Sequence, residues 1–392
     1  MKVNSNSTEK DENMNKFLSN AALSFAALSA GAVTNAEMEK LALEHECTSW
    51  MVFNDLTKNN TNILHKNRDA SSENISVMIS PAGAKRRWIF LGSNSANSGM
   101  NSSGLASVVN SGELCPDPAE DKTKKTTPAL VRDVLENCDT AAQAVERLRT
   151  LVTAGDYNHG KKGSIFFFMD TKEAYICELT IKVFTAQRYD RGYAVRANIW
   201  QNPGMQAHSR NTIKGYLNSS ARAYIAYSNL NKALEKNGRI SVQDIMELSR
   251  HSVMPEESPE KRSVCFKRTN SASSFEIDLH YPDVLSTGYF TIGHPRHTVY
   301  IPVPVCAEKI LPSMGDFSWG KASFKRLNQL GLNAPIPPAW LDFEKNSMAK
   351  YAAAKDAARK LLEQGKRAEA VKLLNDTAFS IWTEAETLLN IK

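Results

Sequence analysis

CTSWMVFNDLTKNNTNILHKNRD, residues 47–69, holds two β-forming runs with a polar segment between them. Cys47 to Asn54 sets apolar Trp50 and Val52 among β-forming residues, and Ile63 to Lys66 is a short apolar run ending in charge, the pattern of two short strands. Between them Asp55 to Asn60 is rich in Asn, Asp, Lys and Thr, and Asn and Asp tolerate the left-handed backbone that a hairpin loop needs. The stretch is centred on Lys58, inside that loop, so antiparallel pairing returns Asn67, Arg68 and Asp69 to the side of Cys47. A thiol, basic side chains and a carboxylate then share one end of one hairpin.

That grouping suits a nucleophile. A cysteine is mostly thiol at neutral pH and needs a cation or a base beside it to become thiolate. The base can be the cysteine's own α-amine, which ordinarily titrates at about 7.7 to 8.0, if the chain is cut just before it. Without these neighbours Cys47 reads as a small buried core residue, and the hairpin moves the reading toward chemistry.

Cys47-Thr48-Ser49, followed by His65-Lys66-Asn67-Arg68-Asp69, resembles the N-terminal-nucleophile hydrolases of the choloylglycine hydrolase and acyl-coenzyme A:6-aminopenicillanic acid acyltransferase group, to which penicillin V acylases, bile-salt hydrolases and acid ceramidase belong. The typical second-strand pattern there is Gly-Arg-Asn-x-Asp. Here Lys66 stands where that arginine usually does, Asn67 and Asp69 are kept, and Arg68 fills the variable slot, so either Lys66 or Arg68 is the cation that assists the thiol. Gly99-Met100-Asn101-Ser102-Ser103-Gly104-Leu105, leading along a strand to Asn110, is similar to the family's Gly-x-Asn-x-x-Gly-Leu run, and the resemblance associates Asn110 with the oxyanion hole. Alone, such a run is a turn. Glu178 falls where the family commonly has a glutamate, its plainer reading being an edge-strand carboxylate. Asn198, near the end of a strand expected over Tyr193 to Trp200, matches the asparagine placed beside the substrate carbonyl. Ser220-Ala221-Arg222 matches a Ser-x-Arg whose arginine reaches the active site; otherwise Arg222 is a surface charge in a first helical turn. Gly293-His294-Pro295 resembles a late Gly-x-Pro turn, and the resemblance spans residues 47–310.

What the resemblance implies is an α+β fold, a four-layer αββα sandwich of two antiparallel sheets between helical layers; periodicity alone supports only α+β. It also implies hydrolysis of the C–N amide bond of a small acylated substrate through a thioester on Cys47. The α-amine of Cys47 would relay the proton, Asp69 would orient that amine, Asn110 and Asn198 would stabilise the oxyanion, and Lys66, Arg68 or Arg222 would supply positive charge. No cofactor is implied. An acyltransferase on the same machinery, or a non-catalytic exported binding protein with a structural Cys47, are the rival readings.

Helices are expected over Thr127 to Cys138, Thr140 to Ala154, Ser219 to Leu234 with a serine cap, and Ser241 to Arg250. Strands are expected over Ile75 to Ile79, Trp88 to Gly92, Leu105 to Val109, Ser164 to Met169, Ala174 to Leu179 and Ile181 to Gln187. After Pro338 the chain turns rich in Ala, Lys, Glu and Leu. Ser347 to Gln364 and Lys366 to Asn390, split by Gly365, read as a helical hairpin packed on the main domain or on a second subunit, with Leu374, Ala378, Ile381, Trp382 and Ala385 in its apolar stripe. At the other end, Met14-Asn15-Lys16, the apolar run Phe17 to Val33 broken by Ser and Asn, and Thr34-Asn35-Ala36 have the parts of a secretory signal peptide, with a small-residue amphipathic helix as the alternative. The interruptions argue against a permanent membrane span. The expected organisation is a signal segment over 1–36, a propeptide over 37–46, the main domain over 47–338 and a helical extension over 339–392, with export as the destination.

Composition narrows the field. With 392 residues, 42% hydrophobic and 23% charged, the chain has the make-up of a soluble globular protein. Its net charge of +6 is mild, and the basic patches Lys85-Arg86-Arg87 and Lys122 to Lys125 lack interleaved aromatics, so nucleic acid is not an expected partner. Six cysteines without a Cys-x-x-Cys and eight histidines without a His-Glu-x-x-His show no metal signature. Under export Cys115 and Cys138 are the expected disulfide pair.

Overall fold

The computed structural model describes residues 40, 46–93, 95–115, 123–158, 162–253 and 262–391. The expected signal segment, 1–36, lies outside the described residues, as does the expected propeptide apart from Lys40 and Glu46.

The opening hairpin forms as two antiparallel strands, β1 (Cys47–Val52) and β2 (Asn62–Asp69), with Cys47 opposite Arg68. β2 continues to Asp69 because it is flanked on both sides: β1 pairs with one edge, and Thr269 to Ile277 pairs with the other as far as Asp69. Seven strands form one sheet in chain order: β3 (Ser76–Ile79), β4 (Trp88–Gly92), β5 (Ser98–Asn101), β6 (Ala106–Leu114), β7 (Lys162–Met169), β8 (Ala174–Leu179) and β9 (Phe184–Tyr189). The other sheet has six strands, adding β10 (Tyr193–Arg196), β11 (Thr269–Ile277), β12 (Thr287–Thr291) and β13 (Ile301–Pro304) to the hairpin in the order β10-β1-β2-β11-β12-β13. Every pairing in both sheets is antiparallel.

Side-chain alternation stacks the layers. In β7, Ile165, Phe167 and Met169 enter the core between the sheets, while Phe166 and Phe168 lie under α1 (Thr127–Asn137) and α2 (Ala141–Thr153). In β1, Met51 joins the inter-sheet core, and Trp50 and Val52 pack on the opposite face beneath α3 (Ile213–Asn237) and α4 (Val242–Ser249). The result is the expected αββα sandwich. Both faces of both sheets are covered, which is why a strand such as Ile165 to Met169 reads as one continuous apolar run.

Two expectations need correction. α3 starts at Ile213, with the Thr212 side chain accepting from the Gly215 N–H, and not at Ser219. Its first two turns point Ile213 and Leu217 to solvent, so the buried-face periodicity appears in sequence only after them. Arg222 therefore sits in the third turn and is wholly buried. Cys115 and Cys138 lie in the inter-sheet core and in the cluster under α1 and α2, on opposite faces of the seven-stranded sheet, so the expected disulfide does not form.

α5 (Ser318–Leu330) leads into α6 (Pro338–Glu363) and α7 (Arg367–Leu388), which form the expected helical hairpin. It packs on the main domain. Trp382 Nε1 donates to the Pro302 carbonyl at 2.7 Å, and Arg250 is ion-paired with Glu344 at 2.5 Å. Among the described residues no helix is long and apolar enough to cross a membrane, and no group of His, Cys, Asp and Glu could hold a metal ion.

Candidate active site

Cys47 is the first residue of β1 and is 6% exposed. Period-two alternation puts it on the inter-sheet face with Ser49 and Met51, and pairing with β2 puts Lys66 and Arg68 on that same face. A cavity of about 300 Å³ opens there, lined by Cys47, Lys66, Arg68, Asp69, Asn110 and, from α1, Pro128. Lys66 lines the cavity beside the Cys47 side chain. Its Nζ donates to the Val109 carbonyl and, at 3.1 Å, to Asn110 Oδ1. Burial lowers the Lys66 ammonium below its ordinary range, and the cysteine beside it works in the opposite direction. Arg68, the other candidate cation, lines the cavity and donates from Nη1 to Ser93 Oγ at 2.7 Å.

Asn110 lies in the middle of β6, since that strand runs on to Leu114. Its Oδ1 accepts from Ser49 Oγ at 2.8 Å, and its Nδ2 donates to the carbonyls of Arg196 and Ala197 at 3.2 and 3.1 Å. Asn198 lies just beyond β10, which stops at Arg196. Its Oδ1 accepts from the Cys47 N–H at 2.9 Å and from Arg222 Nη2 at 2.8 Å, while its Nδ2 donates to the Ser111 carbonyl at 2.7 Å. The segment after Asn198 is anchored by Glu178, a buried carboxylate in β8 and not an edge group. It accepts from the backbone N–H of Gln201 at 2.9 Å and of Asn202 at 2.8 Å.

Arg222 reaches the same point from α3. Nη1 donates to the Cys47 carbonyl at 2.7 Å and to Thr48 Oγ1 at 2.9 Å, and lies 3.9 Å from Asp69 Oδ2. Asp69 Oδ1 accepts from Thr269 Oγ1 at 2.7 Å; Oδ2 is buried with no hydrogen-bond partner among the described residues. Burial raises the Asp69 carboxyl to about 7, against the pull of Arg222 and the Thr269 hydrogen bond. Cys47, Lys66, Arg68, Asp69, Asn110, Asn198 and Arg222 thus surround one point at the head of β1.

Other motif residues have architectural partners. Asn67 Nδ2 donates to the carbonyls of Ser249 and Val264 at 2.7 and 2.9 Å. Asn101 Nδ2 donates to those of Leu135 and Cys138 at 2.9 and 2.8 Å, closing the C-terminus of α1. Gly104 has φ +81 with Pro282 Cβ 2.8 Å from where a Cβ would stand, so its turn excludes larger residues. Three contributors were not singled out as site residues. Ser49, in the Cys47-Thr48-Ser49 motif, is legible from strand alternation. Glu46 and Arg262, which ion-pair beside Cys47, give no sequence signal because they are far apart along the chain.

A family model described as acyl-coenzyme A:6-aminopenicillanic acid acyl-transferase matches residues 56–263. No curated protein matches the chain. Among solved structures, an arginine-to-leucine variant of conjugated bile acid hydrolase from Clostridium perfringens aligns with a TM-score of 0.47 at 12% identity, covering 66% of this chain and 92% of that one. Penicillin V acylase from Agrobacterium tumefaciens aligns with a TM-score of 0.46 at 15% identity, covering 66% and 86%.

Proposed function

The chain belongs to the acyl-coenzyme A:6-aminopenicillanic acid acyl-transferase family, and on that premise we propose that it is a cysteine amidohydrolase that cleaves the C–N bond of a small acylated substrate through a thioester on Cys47. The observation that carries the reading is the double environment of Cys47: its side chain faces a cavity beside Lys66, while its backbone nitrogen is held by Asn198 at 2.9 Å. Removal of residues 37–46, the proposed propeptide behind a proposed export signal over 1–36, turns that nitrogen into an α-amine. Asp69 Oδ2, buried and without a hydrogen-bond partner among the described residues, is a ready acceptor for the amine. The amine takes the thiol proton as sulfur attacks the substrate carbonyl, then delivers it to the departing amine; water hydrolyses the thioester by the same relay. Lys66 supplies positive charge to the thiolate, and Asn110 and Asn198 are the proposed oxyanion donors.

The test is to incubate the protein with a panel of acyl amides, quench in acid and map the acyl adduct by mass spectrometry. An acyl group on Cys47 of a chain that begins at Cys47 is the expected result. Turnover undiminished in Cys47→Ala would overturn the reading. The family's description favours a second reading, discharge of the same thioester to an amine acceptor, and the partition of an activated acyl donor between water and added amine separates the two. A native Cys47 that fails to react with iodoacetamide would instead point to a binding protein.

A further inference from the structure

The residue just before the proposed nucleophile is a carboxylate, and it is buried: Glu46 is 1% exposed. Such a charge is costly without partners. It has two. Its Oε2 is ion-paired with Arg262 Nη1, and its Oε1 lies 3.3 Å from Arg222 Nη2. The peptide unit that joins it to Cys47 is held at both polar atoms. The Glu46 carbonyl accepts from the Asp69 N–H at 2.9 Å, and the Cys47 N–H donates to Asn198 at 2.9 Å. Arg262 is itself seated, its guanidinium 4.8 Å from the Phe266 ring centroid.

We propose that the Glu46 carboxylate and Arg262 form a handle that positions the Glu46–Cys47 bond for self-cleavage, making Arg262 a positioning residue for maturation. This rests on the reading of Cys47 as a nucleophile released by processing. The thiol sulfur adds to the Glu46 carbonyl carbon, the C–N bond breaks and a C–S bond forms, and the thiol proton passes to the Cys47 nitrogen to give the amine. Water then adds its hydroxyl to the acyl carbon and its proton to sulfur, releasing the propeptide with Glu46 at its C-terminus. During the first addition the carbonyl oxygen gains negative charge, and the Asp69 N–H already points at it. An amide carbonyl misplaced by about 1 Å loses on the order of 10²-fold in rate, so a side-chain anchor on the acyl side has a direct kinetic use. The handle leaves with the product. Once Glu46 is gone, Arg222 and Arg262 have lost an anion at the place where the new amine appears. Their charge, with that of Lys66 and Arg68 and against that of Asp69, favours the unprotonated amine that serves as base.

Glu46 is absent from the mature chain, which supplies the control. Full-length protein carrying Glu46→Gln, Glu46→Asp, Arg262→Gln or both Gln changes is followed by intact mass from synthesis onward. Glu46→Gln and Arg262→Gln are each expected to slow appearance of the Cys47 terminus by ~10²-fold, with partial rescue by Glu46→Asp. The double variant is expected to be no slower than either single, as for one shared interaction. The processed fraction of Glu46→Gln should label with iodoacetamide at Cys47 as fast as the parent. Parent-rate processing by Glu46→Gln, or strictly multiplicative slowing in the double variant, overturns the handle while leaving the nucleophile intact. A parent protein that is never cut at Glu46–Cys47 overturns the processing reading and the handle together.

Discussion

At the scale of single residues, the two asparagines at the site are not equivalent. Asn110 Nδ2 donates to two backbone carbonyls, whereas Asn198 Nδ2 donates to one, which leaves Asn198 a second N–H for a developing oxyanion. Asn198→Ala is therefore expected to lower kcat of the processed enzyme by ~10² to 10³ with KM changed only a few-fold, and Asn110→Ala to show the smaller kinetic loss and the larger drop in Tm. Equal losses would remove the distinction. Asp69 offers a pH test in unprocessed Cys47→Ala protein. Its folded value of about 7 stands above the ordinary 3.8, so the folded chain keeps a proton that the unfolded chain releases between those values. Stability from this group is full below about 3.8 and falls as pH rises toward about 7, by about 1.4 kcal/mol for each tenfold fall in proton concentration. Asp69→Asn mimics the protonated form. Its Tm relative to the parent is expected to climb as pH rises through that window and to level off above it, and a difference that does not vary with pH would refute the assignment.

At the scale of elements, the site depends on the segment after β10 being fixed, since Asn198 stands outside any strand. Glu178 holds that segment by accepting two successive backbone N–H groups, Gln201 and Asn202, from a strand that is itself flanked by β7 and β9. Glu178→Ala strands these part-buried donors, at no more than ~1 to 3 kcal/mol for each hydrogen bond lost. The expected result is a lower urea midpoint together with a lower kcat, partly restored by Glu178→Gln; an unchanged kcat in folded protein would show that Asn198 is held without it. β4, β8 and α4 are legible in the sequence because local patterning specifies them. Arg222 is legible through resemblance alone, and its expected place in a first helical turn is wrong, since nothing local distinguishes a buried arginine from a surface one.

For the whole molecule, the helical extension is welded to the sandwich by buried charge. Arg250 takes both Glu344 oxygens, from Nη1 at 2.6 Å and Nη2 at 2.5 Å, and Lys355 pairs with Glu276 at 2.6 Å. Glu344→Ala leaves the Arg250 charge buried without its carboxylate, at a cost of ~3 to 5 kcal/mol. Because this pair lies apart from the Cys47 cavity, the variant is expected to unfold at lower urea while labelling at Cys47 at the parent rate under native conditions. Lost labelling in folded protein would mean that the extension shapes the site.

The hairpin and its register were determined by the sequence itself. Two β-forming runs flanking a loop rich in Asn and Asp bring Cys47 opposite Arg68, and strand alternation then assigns each side chain a face. Local pattern also placed most strands and the helical hairpin. Which groups meet across the sandwich was settled only by the tertiary structure. Spacing could not tell that Cys115 and Cys138 occupy opposite faces of one sheet, that Lys66 reaches Asn110 while Arg68 turns to Ser93, or that Glu46 meets Arg262 across most of the main domain. Those outcomes depend on two sheets closing face to face and on long-range burial. Sequence periodicity reports only a residue's side of its own element, not the partner that stands opposite it once the layers close.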